Sequence, residues 1–411
     1  MNNMSQHYTP LSNFQVKNNQ LFLSGVALKQ LSNRVGHTPF YAYDRSLITR
    51  RFFELRKNMP HDLKIHYAIK ANPMPALVQH MATLADGFDT ASAGEMKTAL
   101  DTTMNANNIS IAGPGKRPQE IQQAIAAGIT INIESKSELS VIEKTSSQLG
   151  LAANVAIRIN PAFELKMAGV KMGGGAKPFG IDEEQVPSVL KAFKEMDLSF
   201  KGFHVYSGSQ NLKEDSIIEA QNQTFLLINK LSEHCATAIE TLNIGGGFGI
   251  PYFASDTPIN TQKIGEQLNE SMLKFKKSNP QTDIIIELGR YLVGEAGIYV
   301  CQVIDKKISR EKTFLVVNGG LHHHLAASGN FGQIIRKNYP IVNGGKIKSE
   351  IMESVNIVGP LCTPLDILAE NIELPVTDVG DYIAVFQSGA YGYTSSPHKF
   401  LSQPSCEEIM V

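Results

Sequence analysis

Residues Ile65–Asn72 read IHYAIKAN, a short apolar run that contains a lysine near its end and is followed by Pro73. An apolar run bounded by proline is typical of a buried strand, here Ile65–Ile69, with Lys70 at its C-terminal end. Burying an ammonium group is costly, and burial lowers a lysine's pKa, which suits Schiff-base chemistry. A strand that ends at the surface with an ordinary solvated lysine is the alternative, and this stretch alone leaves both open.

Outward from this stretch, strand-like and helix-like patterns alternate along the chain. Helical patterns such as PALVQHMATLA, PQEIQQAIAAG and EEQVPSVLKAFKEM separate the candidate strands. The eight candidate strands are Ile65–Ile69, Gly87–Thr90, Ile109–Ala112, Thr130–Ile133, Val155–Ile159, Gly202–Val205, Thr241–Ile244 and Ile284–Glu287. This alternation predicts an α/β fold, a (β/α)8 TIM barrel, although a doubly wound open sheet would show the same pattern.

Polar residues and glycines stand at the C-terminal ends of these strands. In chain order they are Lys70, Asp89, Gly113, Glu134, Asn160, His204, Gly245–Gly247 and Glu287. In a TIM barrel these ends lie on the face that carries the active site. The sequence therefore predicts that residues far apart along the chain converge in the pocket of an enzyme.

The strand–helix alternation stops near Ile298. The runs IYVCQVID, KTFLVVN, ESVNIVG and DYIAVFQ predict an all-β domain, a Greek-key barrel or sandwich, which the strand-rich N-terminal segment is expected to complete. We therefore predict a barrel over residues 45–298, inserted between residues 1–44 and 299–411 of the β domain. A length of 411 residues suits two domains.

Composition narrows the classes of function. A net charge of −1 argues against a nucleic-acid or membrane-surface partner, and no apolar run is long enough to span a bilayer. The N-terminal residues show no secretory signal. Four scattered cysteines indicate reduced thiols and, with the missing signal, a cytoplasmic protein.

Two further motifs fit a phosphorylated cofactor. The string GGGFG, Gly245–Gly249, follows the seventh strand, and in such barrels the loops after strands seven and eight commonly bind phosphate. A glycine-rich turn without phosphate is the alternative. Glu287 in IELGR ends an apolar strand, so its carboxylate needs a partner, either Arg290 or the protonated ring nitrogen of a cofactor.

His204 in FHVYSGSQ is either a core histidine or a flat ring that stacks on a cofactor, and Ser207 could add hydrogen bonds to phosphate. A lysine, a phosphate loop and a carboxylate for a ring nitrogen together indicate pyridoxal phosphate.

The triplet His322–His323–His324 suggests a metal at first sight. Three adjacent histidines cannot all point the same way, so we predict no metal site and expect one or two of them to line the pocket.

On these motifs the sequence resembles the type III fold pyridoxal-phosphate decarboxylases, the group of ornithine, arginine and diaminopimelate decarboxylases. The resemblance implies that Lys70 forms the Schiff base, His204 stacks on the ring and Glu287 pairs with the pyridinium nitrogen. The cofactor contacts that we predict are Lys70, Asp89, Arg158, His204, Ser207, Gly245, Gly246, Gly247, Glu287, Gly289, Arg290 and Tyr391.

The motif GPLCTPLD resembles the family loop whose cysteine, here Cys362, is the proton donor from the partner subunit of a homodimer with shared active sites. The next residue, Thr363, stands where diamine-forming and diaminopimelate enzymes carry an acidic residue. Its neutral side chain makes lysine, ornithine and diaminopimelate less favoured substrates. The predicted substrate contacts are His322, His323, Thr363 and Asp366.

Four stretches narrow the resemblance further: AGVKMGGGAKPFGID, SGSQNL, GGLHHHLAASGNFGQ and GPLCTPLD. They are similar to an exosortase- and exopolysaccharide-associated subfamily and to decarboxylases of glutamate tethered to an acyl carrier protein. We therefore expect an α-decarboxylase of an amino acid or an amino-acid conjugate, free or carrier-bound. The alternatives are a diaminopimelate decarboxylase proper, an amino-acid racemase, which Glu287 argues against, and a non-catalytic cofactor-binding protein.

Overall fold

The computed structural model describes residues 10–163, 170–171, 173–253, 255–331, 333 and 336–411. Two compact units divide the chain. The β unit contains the described residues up to Arg50, Pro251–Thr257 and Leu292–Val411, and the barrel unit contains Arg51–Ile250 and Pro258–Tyr291. The sequence-based boundaries of 45–298 for the barrel domain stay a prediction.

The barrel unit is built on eight parallel strands. In chain order they are Lys64–Ala68, Gly87–Thr90, Ile109–Ile111, Thr130–Ile133, Ala153–Asn160, Leu198–Val205, Thr241–Gly246 and Asp283–Leu288. Each strand pairs with the next, and the eighth pairs with the first through Glu287 and His66, which closes the barrel. The predicted TIM barrel is therefore confirmed, and the doubly wound open sheet is wrong.

Helices cover the outside of the strands in sequence. They are Arg45–Asn58, Pro75–Met81, Ala93–Leu100, Pro118–Ala127, Lys136–Leu149, Val186–Phe193, Glu214–Ser232 and Thr261–Phe275, with 3-10 turns at Ile69–Ala71, Ala106–Asn108 and Glu183–Gln185. Serine residues cap the N-termini of two of these helices: the Ser92 and Ser135 hydroxyls accept hydrogen bonds from the backbone N–H groups of Glu95 and Glu138, three residues further on. Two short pairs complete the unit, Ile181–Asp182 on the fifth strand and Val170–Lys171 with Gly208–Ser209.

The β unit contains a mostly antiparallel eight-stranded sheet. Its strands are Phe40–Tyr43, Gly297–Ser309, Lys312–Val317, Ile341–Asn343, Met352–Val358, Ile367–Pro375, Tyr382–Val385 and Glu407–Met410. Phe40–Tyr43 pairs with the start of Gly297–Ser309, so the N-terminal segment joins the sheet as the sequence predicted. The remaining elements of the β unit are the strands Gln15–Lys17, Gln20–Leu23 and Val26–Ala27, the helix Leu28–Val35, and the 3-10 turns Pro10–Asn13, Gly294–Ala296 and Phe400–Ser402. The short helix Arg290–Val293 begins in the barrel unit and ends in the β unit.

Some local expectations need correction. The first strand ends at Ala68, and Lys70 lies in the 3-10 turn that follows, because Asn72 N–H returns to the Ile69 carbonyl. The helix predicted over PALVQHMATLA ends at Met81. Part of the motif at 168–182 lies outside the described residues. Among the helices described, none is both long and apolar enough to cross a bilayer.

Candidate active site

Lys70 lies in the turn between the first barrel strand and its helix. Its Nζ stands 5.0 Å from the centre of the Tyr206 ring, and the residue is half-buried, between the buried and the solvated lysine that the sequence left open. Gly289, after the eighth strand, packs against this turn: a Cβ there would lie 2.7 Å from Ala71 Cβ. The missing side chain at Gly289 therefore lets the loop after the eighth strand approach the lysine turn.

His204 and Glu287 meet at the ends of the sixth and eighth strands. His204 Nε2 lies 3.3 Å from Glu287 Oε2, and both side chains are almost fully buried, at 2% and 5% exposure. Asn243, on the seventh strand, donates its side-chain N–H to the same Oε2 at 3.1 Å. Glu287 Oε1 has no hydrogen-bond donor in the described part of the chain.

Charge keeps the buried Glu287 ionised. Burial alone raises its pKa, but the approach of His204 and the positive charges of Lys70 and Arg158 outweigh burial and hold the pKa below the usual carboxyl range. The partners described for this carboxylate are His204 and Asn243, and the structural pair with Arg290 stays an alternative.

The glycines at the end of the seventh strand and directly after it are required by close packing. A Cβ on Gly246 would lie 2.0 Å from the Glu287 carbonyl oxygen, and one on Gly247 would lie 2.0 Å from the Gly208 carbonyl oxygen. Gly245 and Gly247 both have positive φ, +70° and +73°. The Gly245 N–H is already taken by Asn243 Oδ1 at 2.8 Å, so any anion must bind to the N–H groups further along this loop.

Four other residues predicted to contact the cofactor also belong to the barrel strands or to the segments directly after them. Asp89 accepts the Ser110 hydroxyl at 2.6 Å and its other oxygen lies 3.7 Å from His66 Nδ1. Arg158 donates to Glu134 at 2.8 Å and lies over the Phe179 ring. Ser207 and Arg290 are half-buried at the ends of the sixth and eighth strands.

These side chains fit a pyridoxal phosphate group. Neither ring nitrogen of the buried His204 has a hydrogen-bond partner among the described residues, although Nε2 is within ion-pair distance of Glu287. Such a ring is free to present its face to a flat ligand. Oε1 of an ionised glutamate suits a protonated ring nitrogen, and Lys70 suits the aldehyde.

The other predicted site residues belong to the β unit. Cys362 is exposed, Thr363 is partly exposed, and both lie in the loop before the strand Ile367–Pro375. Asp366 is buried, and its two oxygens accept the backbone N–H groups of Leu321 and Leu361 at 2.6 and 2.9 Å. Asp366 therefore holds the Cys362 loop. Tyr391 is partly exposed, with φ at +55°.

All three histidines of the triplet are buried in the β unit. Burial lowers the pKa of His322 to about 3, of His323 to about 4 and of His324 to about 3. The His322 and His323 rings lie 3.8 Å apart, whereas His324 bonds Ser388 Oγ through Nε2. The triplet is thus a group of neutral imidazoles.

One side-chain group in the described ranges has the composition of a metal site, namely His323, His398 and Cys406. His323 Nε2 lies 2.7 Å from the Pro404 carbonyl oxygen, and His398 Nε2 lies 2.5 Å from the Tyr393 carbonyl oxygen. Both nitrogens must carry protons there, so neither can ligate. The remaining nitrogen of His323, Nδ1, lies 3.3 Å from the Tyr299 hydroxyl, so both ring nitrogens of His323 already have partners.

Sequence reasoning missed several residues of the barrel mouth. Asn243 binds Glu287, Tyr206 lies under Lys70, and Lys116 and Glu138 form a buried ion pair. Glu138 lies three residues after the capping Ser135, so a Ser-x-x-Glu pattern was available as a signal. Nothing comparable marked Asn243 or Lys116.

Known proteins share this fold and these motifs. The pyridoxal-binding domain of the pyridoxal-dependent decarboxylases matches residues 45–294. An L-glutamyl-[BtrI acyl-carrier protein] decarboxylase from Niallia circulans is 38% identical over 91% of this chain and 88% of its own length. A diaminopimelate decarboxylase from Aquifex aeolicus is 32% identical over 99% and 93%. The crystal structure of the Methanocaldococcus jannaschii diaminopimelate decarboxylase with L-lysine superposes with a TM-score of 0.88 at 28% identity, covering 98% of this chain and 94% of that one.

The barrel with a lysine turn, a glycine loop and a buried glutamate defines a pyridoxal-phosphate enzyme. The chain belongs to the family of pyridoxal-dependent decarboxylases. It is a carboxy-lyase that uses pyridoxal phosphate, as the sequence predicted.

Proposed function

We propose that the substrate is an amino acid carried as a conjugate, with a glutamyl group tethered to an acyl carrier protein as the first candidate. The similarity to a decarboxylase of this substrate class supports the proposal. Thr363 supports it independently, because its neutral side chain offers no counter-charge to the distal amine of diaminopimelate, lysine or ornithine.

The barrel residues have distinct roles in this proposal. When bound, pyridoxal phosphate supplies an aldehyde for an amine and a ring that accepts the electron pair released with carbon dioxide. Lys70 Nζ would hold the cofactor through its aldehyde. Glu287 Oε1 accepts a hydrogen bond from the ring nitrogen and so retains the proton there. The single observation that carries this assignment is the ionised Glu287, whose Oε1 accepts no hydrogen bond from any described residue.

Flanking residues hold the cofactor in place. His204 presents its ring face to the pyridine ring, and the loop beyond Gly245 offers backbone N–H groups to the phosphate. Tyr391, Ser207, Gly289 and Arg290 remain proposed contacts. Asp89 and Arg158 support the cofactor site indirectly: Asp89 contacts Ser110 and His66, and the Arg158 charge helps to lower the pKa of Glu287.

The proposal includes a homodimer with shared active sites. The exposed Cys362 thiol then protonates the substrate carbon in the active site of the partner subunit after carbon dioxide leaves. All four cysteines are free, which supports a reducing, cytoplasmic location for the enzyme. The resemblance to exopolysaccharide-associated enzymes supports a role in a pathway of that kind.

The test is a substrate comparison with the purified, cofactor-loaded protein. Release of carbon dioxide is measured with a glutamyl carrier-protein thioester, free L-glutamate, meso-diaminopimelate, L-lysine and L-ornithine, and mass spectrometry follows the carrier product. We expect the thioester to have the highest kcat/KM. Faster turnover of diaminopimelate would instead favour the alternative function, which the Aquifex relative and the lysine-bound structure support. Racemised substrate without carbon dioxide would contradict both.

A further inference from the structure

Lys116 is buried beside the candidate site, in the loop after the third barrel strand. Its side chain is 3% exposed. Nζ donates to Glu138 Oε1 at 2.8 Å, to the Gly113 carbonyl at 2.7 Å and to the Asn132 carbonyl at 2.8 Å. All three ammonium protons are therefore used, so this lysine is not available to a ligand.

Glu138 transmits this contact to the loop after the fourth strand. Its Oε2 accepts the backbone N–H of Glu134 at 2.7 Å, while its own N–H donates to the Ser135 hydroxyl. The carboxylate is thus fixed at both oxygens, one on Lys116 and one on Glu134. Burial raises the pKa of Glu138, and the Lys116 charge counteracts that rise.

Glu134 continues the chain of contacts to Arg158. Glu134 Oε1 accepts Arg158 Nη1 at 2.8 Å and the Gly113 N–H at 2.5 Å, and Oε2 accepts the Gly180 N–H at 3.1 Å. Burial raises the pKa of Glu134, but the Arg158 and Lys116 charges outweigh burial and leave the pKa below its usual value. An ionised Glu134 is what holds the guanidinium.

Arg158 is the last residue in this series of contacts and lies next to His204, one of the residues assigned to the cofactor. It lies on the fifth strand directly opposite His204 on the sixth, and His204 contacts Glu287. Phe179 stacks against the guanidinium, with Cζ 5.2 Å from the ring centre. Glu134 is its single hydrogen-bond acceptor in the described segments, so Arg158 depends on Glu134 for its orientation.

We propose that Lys116 and Glu138 are positioning residues that fix Glu134 and, through it, the Arg158 guanidinium beside His204 and Glu287. This inference rests on the proposed assignment of His204 and Glu287 to the cofactor. Two buried ion pairs are an inefficient way to stabilise a barrel, because desolvation offsets most of their attraction. A network of ion pairs can, however, fix the orientation of a charged group such as the Arg158 guanidinium, which an apolar pair cannot do. The lowered pKa of Glu287, to which the Arg158 charge contributes, agrees with this role.

The test variant is Lys116→Met/Glu138→Gln, which removes both charges and keeps an acceptor for the Glu134 N–H. We measure the Kd for pyridoxal phosphate, the pH at which the visible absorbance of the bound cofactor changes, and the melting temperature. The expected result is a Kd raised by about tenfold, the usual effect of losing an outer partner of a ligand-holding residue. The pH midpoint is expected to shift as well, because Arg158 no longer holds its position.

A matched control removes an ion pair from the opposite end of the same barrel. Arg56 and Asp86 form a salt bridge before the first and second strands, where Asp86 also accepts the Ile65 N–H. Arg56→Met/Asp86→Asn is expected to lower the melting temperature without changing the Kd or the pH midpoint. The single change Glu138→Gln is the milder variant should the double variant not fold, and it is expected to produce a smaller shift in the same direction.

A double-mutant cycle separates positioning from a local effect. In a Glu134→Gln/Arg158→Met background, removing Lys116 and Glu138 is expected to cause no further change in Kd. An unchanged Kd and pH midpoint in the first variant, or an undiminished effect in that background, would overturn the inference. Failure of the wild-type protein to bind pyridoxal phosphate would instead contradict the proposed function.

Discussion

His204 Nε2 and Glu287 Oε2 lie 3.3 Å apart at the mouth of the barrel, with Asn243 donating to the same oxygen. Three consecutive strands, the sixth to the eighth, thus supply one side chain each. The His204–Glu287 approach lies within ion-pair distance, yet neither ring nitrogen has hydrogen-bond geometry to a described partner. This arrangement leaves the ring face and Glu287 Oε1 for a ligand.

Glu287→Gln is expected to retain cofactor and lose activity. An amide carries no negative charge, so it holds a proton on the ring nitrogen less well. We expect kcat for decarboxylation to fall by about 10²–10³-fold, the usual cost of losing one electrostatic partner of the developing charge. The measurement is carbon dioxide release under saturating substrate, with bound cofactor quantified by its absorbance. The exposed Glu270→Gln on the last barrel helix is the control, and an equal kcat in both variants would contradict the assignment.

Gly246→Ala tests the close approach of the seventh and eighth strands. Its Cβ would lie 2.0 Å from the Glu287 carbonyl oxygen, so the strands must separate. We expect the free energy of unfolding to fall by about 1–3 kcal/mol, as for other overpacked sites, and cofactor affinity to fall with it. Gly115→Ala is the matched control, because an added Cβ there meets nothing within 4 Å. Equal stability of the two variants in urea unfolding would disprove the packing argument.

The buried His322 makes stability depend on pH. Its folded-state pKa is lowered from 6.5 to about 3, so below pH 6.5 the unfolded chain takes up a proton that the folded chain does not. This contribution to stability is present above that pH and is lost as the pH falls towards the folded value. In His322→Phe the loss of unfolding free energy between pH 6 and pH 5 is expected to be smaller by about 1 kcal/mol.

Urea unfolding at both pH values, followed by circular dichroism, measures this difference. Leu226→Phe, at an exposed position on a barrel helix, serves as the control, because it adds the same ring without removing a titratable group, and it should leave the wild-type pH dependence. Identical slopes for His322→Phe and wild type would show that His322 is already charged in the folded protein.

The strand pattern and the residues after each strand were readable because burial on both faces of parallel strands leaves long apolar runs, as in Asp283–Leu288. The 3-10 turn at Lys70 was not readable, because it depends on Asn72 bonding back to Ile69 and on the Tyr67 hydroxyl donating to the Asn72 carbonyl. The burial of Lys116 could not be predicted either, because the sequence PGKRP is typical of a surface loop. Its partners come from the next strand and the helix after it, a relationship that only the closed barrel creates.

A mixture of two inactive variants tests the shared active site. Lys70→Ala removes the cofactor lysine and Cys362→Ala removes the proposed proton donor. If each site takes Cys362 from the partner subunit, half of the randomly mixed dimers are hybrids with one intact site of two, so about a quarter of the wild-type activity returns. Each variant alone is the control. Activity that stays at the sum of the separate variants would place both residues in sites within one subunit.

Thr363→Glu tests whether this position sets substrate preference. The Thr363 N–H donates to the Leu361 carbonyl at 2.8 Å, and the side chain is partly exposed beside Cys362, so a longer acidic side chain can be accommodated. A carboxylate here provides a counter-charge for the distal amine of diaminopimelate. A partly exposed ion pair contributes about 1 kcal/mol, so the kcat/KM ratio of diaminopimelate to the glutamyl thioester should rise by about fivefold. Thr363→Gln matches the added length without the charge and should leave the ratio low. Equal ratios for the Glu and Gln variants would mean that this loop does not select the substrate.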